Sequence, residues 1–441
     1  MQPLAEIFAK PGFRKAVANF GWLSVERVGR FVFSALVGLL VARYLGPARL
    51  GSLSYCLALV TLIGFVPSLG LDAVVKRELL RSPGTEAELL ASSFFARLAA
   101  GAAAWGIMLL AALGGWGFTA EEARLCAMLG FILFQPALFL PELWLQSHLH
   151  AKWAVAVQLS ALAVASAVRL WLISTHAPLT AFAGVLVGEM ALTAIGFFAS
   201  ARKIGMGFSF AAARVATMRR LVREAWPLMF ASLAILVYLR IDEVMLRQLV
   251  GPEAVGIYAA ATKLSEVWYF VPMAMASSVL PALLRARKND PAEYAMRQQQ
   301  YYDLSAAVAY ALSVPIALLA PWVVRVAYGA EFAAAGPILA VHIWSSIFVF
   351  LGVARGQWLV NEGQQKFYLA ATCAGAVANI ALNLVFIPRW SGLGAAWATV
   401  ISYGIAGWLA SYFHPVVRTT AEMQTRALLV PLNGWRYLRR D

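Results

Sequence analysis

The chain has 441 residues, of which 61% are hydrophobic and only 13% are charged, with a formal net charge of +14 and a mean hydropathy of +0.71. A soluble globular protein is excluded, because a chain of this length cannot bury so much apolar surface. The basic residues lie mostly between apolar runs, which is typical of membrane topology signals and argues against nucleic-acid binding.

Twelve apolar stretches are each long enough to cross a bilayer about 30 Å thick as a helix of roughly 20 residues. The sequence therefore predicts an all-α integral membrane protein with about twelve transmembrane helices. In chain order the stretches cover approximately residues 19–42, 48–72, 89–113, 123–146, 153–175, 179–200, 226–249, 254–282, 302–326, 334–360, 367–388 and 392–413.

The stretch from Arg43 to Gly70 returns later in the chain at a constant offset of 205 residues. The ungapped match indicates an internal duplication into two pseudo-symmetric halves. The matched positions are Gly46-Pro47 with Gly251-Pro252, Gly51 with Gly256, Leu59 with Leu264, and Phe65-Val66-Pro67 with Phe270-Val271-Pro272.

Glycine and proline in this repeat predict two kinds of backbone feature. Gly46-Pro47 and Gly251-Pro252 are expected to form tight elbows between the first two spans of each half, since glycine is free in its backbone and proline starts helices. Pro67 and Pro272 are expected to kink the second span of each half, where a bend shapes a cavity or acts as a hinge.

Connections rich in Lys and Arg alternate along the chain with connections that contain few. One set, which includes both termini, holds 23 basic residues and the other set holds 6. By the positive-inside rule both termini face the cytoplasm. The basic connection between the sixth and seventh spans marks the domain boundary. The expected order is an N-terminal six-helix lobe at 1–200, a basic cytoplasmic linker at 201–224, a C-terminal six-helix lobe at 225–415 and a basic cytoplasmic tail at 416–441.

Ionisable residues inside the spans need an explanation, because each costs about 2.5–3.5 kcal/mol by insertion scales. In the first span Glu26 and Arg30 share one helix face and Arg27 lies beside it. Either Glu26 and Arg30 neutralise each other while Arg27 snorkels, or this face lines a cationic cavity that binds an anion.

The second half carries different charges in its first two spans. In the seventh span Arg240 and Glu243 are three residues apart and able to pair, whereas Asp242 lies on a different face. Asp242 and Glu243 are either proton or cation sites or buried partners of arginines. In the eighth span Lys263 and Glu266 are again three apart, so they either pair or line the cavity.

Other polar residues in the spans have several interpretations. Arg355 has no acidic residue near it in the sequence, so a substrate or another helix must supply its partner. Arg97 and Arg169 are expected to snorkel towards the nearer surface. Asn379 and Asn383 lie four apart on one face and either join helices or contact sugar hydroxyls.

Signals for catalysis are missing from the sequence. There is no Walker loop, dinucleotide-binding glycine motif or Ser-His-Asp order, and the rings of His148 and His150 point to different faces of a helix. The three cysteines have no spacing suited to a metal. We expect no enzyme activity, no cofactor and no metal site.

Three stretches resemble bacterial oligosaccharide flippases: VGRFVFSALVGLL with ARYLGPARLGSLSY, GIYAAATKLSEVWYFVPMAMASSVLPAL, and ANIALNLVFIPRWSGLGAAWATVISYG. These are the Wzx-type members of the multidrug/oligosaccharidyl-lipid/polysaccharide exporter (MOP) superfamily. The resemblance covers nearly the whole chain in order.

This resemblance implies a MATE-like fold with two six-helix lobes that rock around a cationic cavity. The implied partner is an undecaprenyl-diphosphate-linked oligosaccharide, moved to the outer leaflet of the bacterial cytoplasmic membrane alongside other polysaccharide-assembly proteins. Its basic cavity residues match Arg27 and Arg30, and Arg240, Lys263 and Arg355 are further candidates. The alternatives are an ion-coupled drug exporter, a peptidoglycan-precursor flippase and, less well supported, a membrane glycan polymerase or ligase or a pure scaffold.

Overall fold

The computed structural model describes the backbone of residues 11–81, 84–114 and 117–433, and most of their side chains from Phe33 onward. This part of the chain is helical and contains no strand. The helices are α1 (Pro11–Ile63), α2 (Phe65–Ser68), α3 (Leu71–Arg81), α4 (Glu86–Leu113), α5 (Ala120–Leu129), α6 (Gln135–Leu138), α7 (Leu140–Ser147), α8 (Ala151–Ser174), α9 (Leu179–Ile204), α10 (Val215–Leu249), α11 (Pro252–Glu266), α12 (Phe270–Asn289), α13 (Pro291–Tyr328), α14 (Ala335–His342), α15 (Ser345–Asn361), α16 (Gln365–Gly407), α17 (Arg418–Leu428) and α18 (Val430–Asn433).

Nine helical stretches in the described part of the chain are long and apolar enough to cross a membrane. Two of them, Phe33–Arg81 and Gln365–Phe413, are 49 residues long and are interrupted, so each holds two of the predicted spans. The seventh predicted span lies in α10. Apolar side chains remain exposed along the helices, among them Leu113 at 80% and Leu318 at 77%. The predicted all-helical, multi-pass membrane fold is confirmed.

Both predicted elbows are present. Gly46 interrupts α1 with φ 69° and ψ 172°, and Gly251 precedes α11 with φ 134° and ψ 175°. Side chains disfavour these positive φ values, which is why glycine occupies both positions. Pro47 and Pro252 follow directly, where a fixed φ suits the first turn of a helix.

The second span of each half is interrupted at equivalent places. In the first copy α1 ends at Ile63, and the short α2, which contains Pro67, separates it from α3. In the second copy a 3-10 turn at Val267–Tyr269 separates α11 from α12, and Pro272 lies in the first turn of α12. In both copies the regular α-helix is therefore interrupted close to the proline.

The described chain divides into two compact units. The first comprises residues up to 45 and 56–233, and the second comprises residues 46–55 and those from 234 onward. The segment 46–55, which follows the first elbow, thus packs within the second unit. The division at residue 233 falls inside α10.

A reciprocal backbone contact joins the two copies of the repeat within the second unit. A Cβ atom on Gly51 would lie 1.7 Å from the carbonyl oxygen of Pro252, and a Cβ atom on Gly256 would lie 1.9 Å from that of Pro47. The 205-residue offset relates Gly51 to Gly256 and Pro47 to Pro252, so the two halves of the contact are equivalent, as in an isologous interface. Only glycine permits so close an approach.

The first unit has its own apolar core between α3, α4, α7, α9 and α10. Its buried residues include Phe94, Trp144, Phe197 and Leu221. Long apolar side chains of this kind supply most of the packing contact in a helical core.

Two arginines of the first unit differ from the sequence expectation. Arg97 does not snorkel, because its side chain is buried and donates to Asp72 at 2.8 Å and to the carbonyl oxygen of Pro136 at 2.8 Å. Arg169 pairs with Glu189 at 2.6 Å. An unpaired charge inside a membrane protein is costly. Both arginines reduce this cost by pairing with a carboxylate, so they do not need to extend towards the surface.

The second unit has a separate core between α12, α13, α15 and α17, which includes Tyr302 and Phe350. The short amphipathic α17 contributes Gln424, whose amide donates to the carbonyl oxygens of Leu351 and Gly407 at 3.2 and 3.1 Å. Part of the predicted tail is thus a helix packed into the second unit.

We expect Gly51→Ala to destabilise the protein, because its methyl group cannot be placed without separating two backbones. Overpacking of this kind costs about 1–3 kcal/mol, and the expected result is a lower temperature of thermal unfolding in detergent. Gly38→Ala is the matched control, since a Cβ atom there meets nothing within 4 Å. Equal stability of the two variants would contradict the close crossing.

Candidate functional site

In the second unit, polar side chains of α10, α11 and α16 lie together in one group. The seventh span supplies Arg240, Asp242 and Glu243, and the eighth supplies Lys263 and Glu266. In the structure Glu266 lies within electrostatic range of the other four predicted residues.

The pair expected three residues apart on α10 is present. Arg240 donates to Glu243 at 2.9 Å, with 36% of the arginine side chain exposed and 7% of the glutamate side chain. The helical spacing is sufficient to explain this pair, because residues three apart lie on neighbouring turns.

Among the described residues, Asp242 is held by neutral groups and by no arginine. Its carboxylate accepts hydrogen bonds from the hydroxyl of Tyr258 at 2.6 Å, the hydroxyl of Thr399 at 2.7 Å and the side-chain amide of Asn383. Only 4% of Asp242 is exposed. Three donors satisfy the carboxylate, but within the described part of the chain no cation lies beside its negative charge.

A chain of hydrogen bonds extends from Asp242 along α16. Asn383 also donates to Asn379 at 3.1 Å, and Asn379 donates to Ser402 at 3.4 Å. Both asparagines are fully buried, and the partners of this chain lie on opposite sides of the interruption at Ser391. In this structure the two asparagines therefore join helices and lie away from any accessible surface.

The oxygen atoms around Asp242 suit a small hard cation. The carboxylate is accompanied by the hydroxyl of Thr399 and by the side-chain amide of Asn383, whose oxygen is buried and has no hydrogen-bond partner among the described residues. Carboxylate, amide and hydroxyl oxygens are the ligands such cations prefer. One carboxylate among neutral oxygens matches a single positive charge. Within the described residues, no group of three or more His, Cys, Asp or Glu is arranged for a metal ion.

Charges in this group are sorted by depth. Lys263 is exposed and Arg240 is partly exposed, whereas Asp242 and Glu243 are buried and Glu266 is half-buried. The group as a whole has more carboxylates than cations, so it carries no surplus positive charge. Its most exposed member, however, is the cation Lys263.

Arg355 does not join this group. Its guanidinium donates to the hydroxyl of Ser411 at 2.6 Å and to the carbonyl oxygen of Ala406 at 2.7 Å, and lies 5.8 Å from the ring of Phe367. Of the two partners that the sequence allowed for Arg355, a substrate or another part of the protein, the structure shows the second. Arg27, Arg30 and Glu26 lie on α1, but their side chains lie outside the described residues.

The sequence did not point to Tyr258, Thr399 or Ser402. Each is a hydroxyl in an apolar helix, and such residues are common there without a special role. Tyr258 and Thr399 are separated by 141 residues along the chain, so no local spacing relates them. The one signal in the sequence was Asp242 itself, because a carboxylate within a span needs hydrogen-bond donors from other helices.

Comparisons with known proteins agree with this architecture. Residues 16–287 match the family model described as "Polysaccharide biosynthesis protein". A comparison with curated protein sequences found no significant match.

Solved structures of membrane transporters share the fold. A structure described as "Lipid II flippase MurJ, inward closed conformation" has a TM-score of 0.72 at 14% identity, over 95% of this chain and 93% of that one. An inward-facing multidrug resistance MATE family transporter of the MOP superfamily has a TM-score of 0.70 at 12% identity, over 96% and 99%. A MOP superfamily transporter from Pyrococcus furiosus has 0.52 at 13%, over 96% and 94%. At these identities the matches establish the fold.

We expect Tyr258→Phe to destabilise the second unit, because Asp242 loses one of its three donors. A hydrogen bond to a charged group contributes about 1.5–3 kcal/mol, so thermal unfolding in detergent should begin at a lower temperature. Tyr368→Phe removes the same hydroxyl from an exposed side chain and should have no effect. An unchanged unfolding temperature in Tyr258→Phe would show that this hydroxyl does not support Asp242.

Proposed function

Because the chain belongs to the polysaccharide biosynthesis protein family, we propose that it moves a polyprenyl-diphosphate-linked oligosaccharide across the membrane by alternating access. The direction is from the inner to the outer leaflet of the bacterial cytoplasmic membrane, for the synthesis of surface polysaccharide. Both termini lie in the cytoplasm, as the distribution of Lys and Arg favours. The moving bodies are the two compact units, which correspond to the predicted lobes at 1–200 and 225–415 except that residues 46–55 belong to the second unit and α10 up to residue 233 belongs to the first.

The observation that carries this proposal is the sorting of charge by depth in the second unit. Lys263 is the most exposed charge of the group and Arg240 is partly exposed, so these are the cations that a diphosphate would meet. Arginine and lysine bind phosphate oxygens strongly where water is scarce. Of the three carboxylates, those of Asp242 and Glu243 are buried and that of Glu266 is half-buried.

Physical chemistry explains why such a substrate needs a protein. A diphosphate with an attached glycan cannot cross about 30 Å of hydrocarbon alone. The prenyl chain is itself apolar and stays in lipid, so only the head group needs a polar path. No bond is made or broken in this process, and the related solved structures are transporters and flippases.

We assign the coupling step to Asp242. The carboxylate is buried with neutral oxygens around it, and a proton or a sodium ion bound there would cancel its charge. Binding of such a cation in one conformation and not in the other would supply the energy for transport. Glu243 is less suited to this role because Arg240 already neutralises it.

The purified protein in proteoliposomes should move a fluorescent lipid-linked oligosaccharide to the opposite leaflet. The double variant Arg240→Gln with Lys263→Gln should move it about tenfold more slowly, because two charge-assisted contacts to phosphate are lost. The measurement is the fraction of label that becomes accessible to a quencher.

Arg389→Gln is the control for this experiment, since Arg389 is exposed and donates to the carbonyl oxygen of Val385 in the same helix. Movement no faster than in empty liposomes under an imposed gradient would contradict the proposal. Transport of an organic cation by the same proteoliposomes, with no movement of the lipid, would favour a drug exporter instead.

Asp242→Asn should remove the dependence of transport on an ion gradient. The wild type is expected to speed up under an inward sodium gradient or an inward proton gradient, whereas the variant should respond to neither. Imposing each gradient separately in potassium-based buffers identifies the ion. Asp303→Asn changes a buried carboxylate of the same unit outside the group and should keep the response. A full response in Asp242→Asn would exclude this residue as the coupling site.

A further inference from the structure

One face of the first part of α10 carries two arginines followed by two aromatic residues. Arg219, Arg223, Trp226 and Phe230 follow one another at intervals of four, three and four residues. At 3.6 residues per turn they lie within a sector of about 60° on the helix. All four belong to the first unit.

The opposite face of the same helix fixes its orientation. Leu221 and Ala225 are completely buried in the core of the first unit. The face with the arginines therefore points outward, and its side chains are exposed. Trp226 is 54% exposed and Phe230 is 53% exposed, with their rings 6.2 Å apart.

The arginines border a crevice of about 420 Å³, lined by Arg219, Arg220, Arg223 and Glu224. Glu224 is held in a short ion pair by a neighbouring arginine of α3, Arg77. The one carboxylate in the crevice is thus already neutralised.

Two positive charges remain after these pairings. Arg220 and Arg77 both contact Glu78, at 3.6 and 3.7 Å. Arg219 and Arg223 have no carboxylate partner among the residues that the structure describes. Their guanidinium groups are one helical turn apart, both exposed and both free to bind an anion.

This arrangement matches the chemistry of a prenyl diphosphate. Two guanidinium groups one turn apart can each form paired hydrogen bonds to one of two adjoining phosphates. The two exposed rings continue from the arginines along the helix, where an apolar chain leaving the diphosphate would lie.

We propose that this face, Arg219–Arg223–Trp226–Phe230, is a docking site for the polyprenyl diphosphate part of the substrate. It would collect the lipid in the cytoplasmic leaflet before transport, which rests on the proposed function and orientation. An ordinary anchor at a membrane surface also combines arginine with tryptophan. Such an anchor would bind any anionic lipid equally, and this difference provides the test.

The experiment measures binding of undecaprenyl diphosphate to the full-length protein in phosphatidylcholine nanodiscs. Arg219→Gln with Arg223→Gln should weaken binding about tenfold or more, because both guanidinium–phosphate contacts are lost. Arg202→Gln with Lys203→Gln removes the same charge from exposed residues at the end of α9 and should bind like the wild type.

Two further measurements test the parts of the site separately. Trp226→Ala with Phe230→Ala should weaken binding of undecaprenyl diphosphate but leave the competition by inorganic diphosphate unchanged. If the glutamine variant does not fold, Arg219→Lys with Arg223→Lys replaces it. This variant keeps the charge, and an intermediate loss is expected because lysine cannot form paired hydrogen bonds.

Three results would overturn the docking site. These are unchanged binding in the arginine variants, an equal loss of phosphatidylglycerol binding, or inorganic diphosphate binding as tightly as the lipid. Failure of the proposed function looks different, since the wild type would then move no lipid-linked oligosaccharide in proteoliposomes. If the wild type transports the lipid normally and the arginine variants bind undecaprenyl diphosphate as tightly as the wild type, only the docking site is rejected.

Discussion

The close crossing of two backbones at Gly51 and Gly256 is the constraint on which the repeat architecture depends. Each glycine lies against the carbonyl oxygen of the proline that begins the other copy's helix. No side chain fits there, so the elbow and the crossing have to be retained together. Elsewhere the copies are free to differ, and the positions of Ala58 and Thr61 in one correspond to Lys263 and Glu266 in the other. A shared frame therefore supports different chemistry in the two halves.

The cost of charge in a membrane explains how the polar residues are arranged. In the first unit Arg97 and Arg169 are each neutralised by a carboxylate, which stabilises the fold and leaves little to bind a ligand. In the second unit Asp242 is hydrogen-bonded but has no cationic partner in the part of the chain that the structure describes, and Lys263 remains exposed. Charged groups without an oppositely charged partner in the protein are available to bind an ion or a substrate.

Sequence reasoning succeeded wherever a property depends on nearby residues. Helix periodicity placed Arg240 beside Glu243, and the glycine–proline pairs located both elbows. It failed for Arg97, which pairs with Asp72 instead of snorkelling, and it missed Tyr258 and Thr399 altogether. In each of these cases the partners lie on different helices, and hydropathy alone contains no information on which helices touch.

The sequence by itself determined that this is a multi-pass helical membrane protein with an internal repeat, because apolar length and glycine–proline spacing are local properties. Only the tertiary structure decided which charges are neutralised, and that residues 46–55 pack with the second unit. The hydrogen bonds of Asp242 span 141 and 157 residues to α16. Contacts of that range arise from helix packing, which local spacing along the chain does not encode.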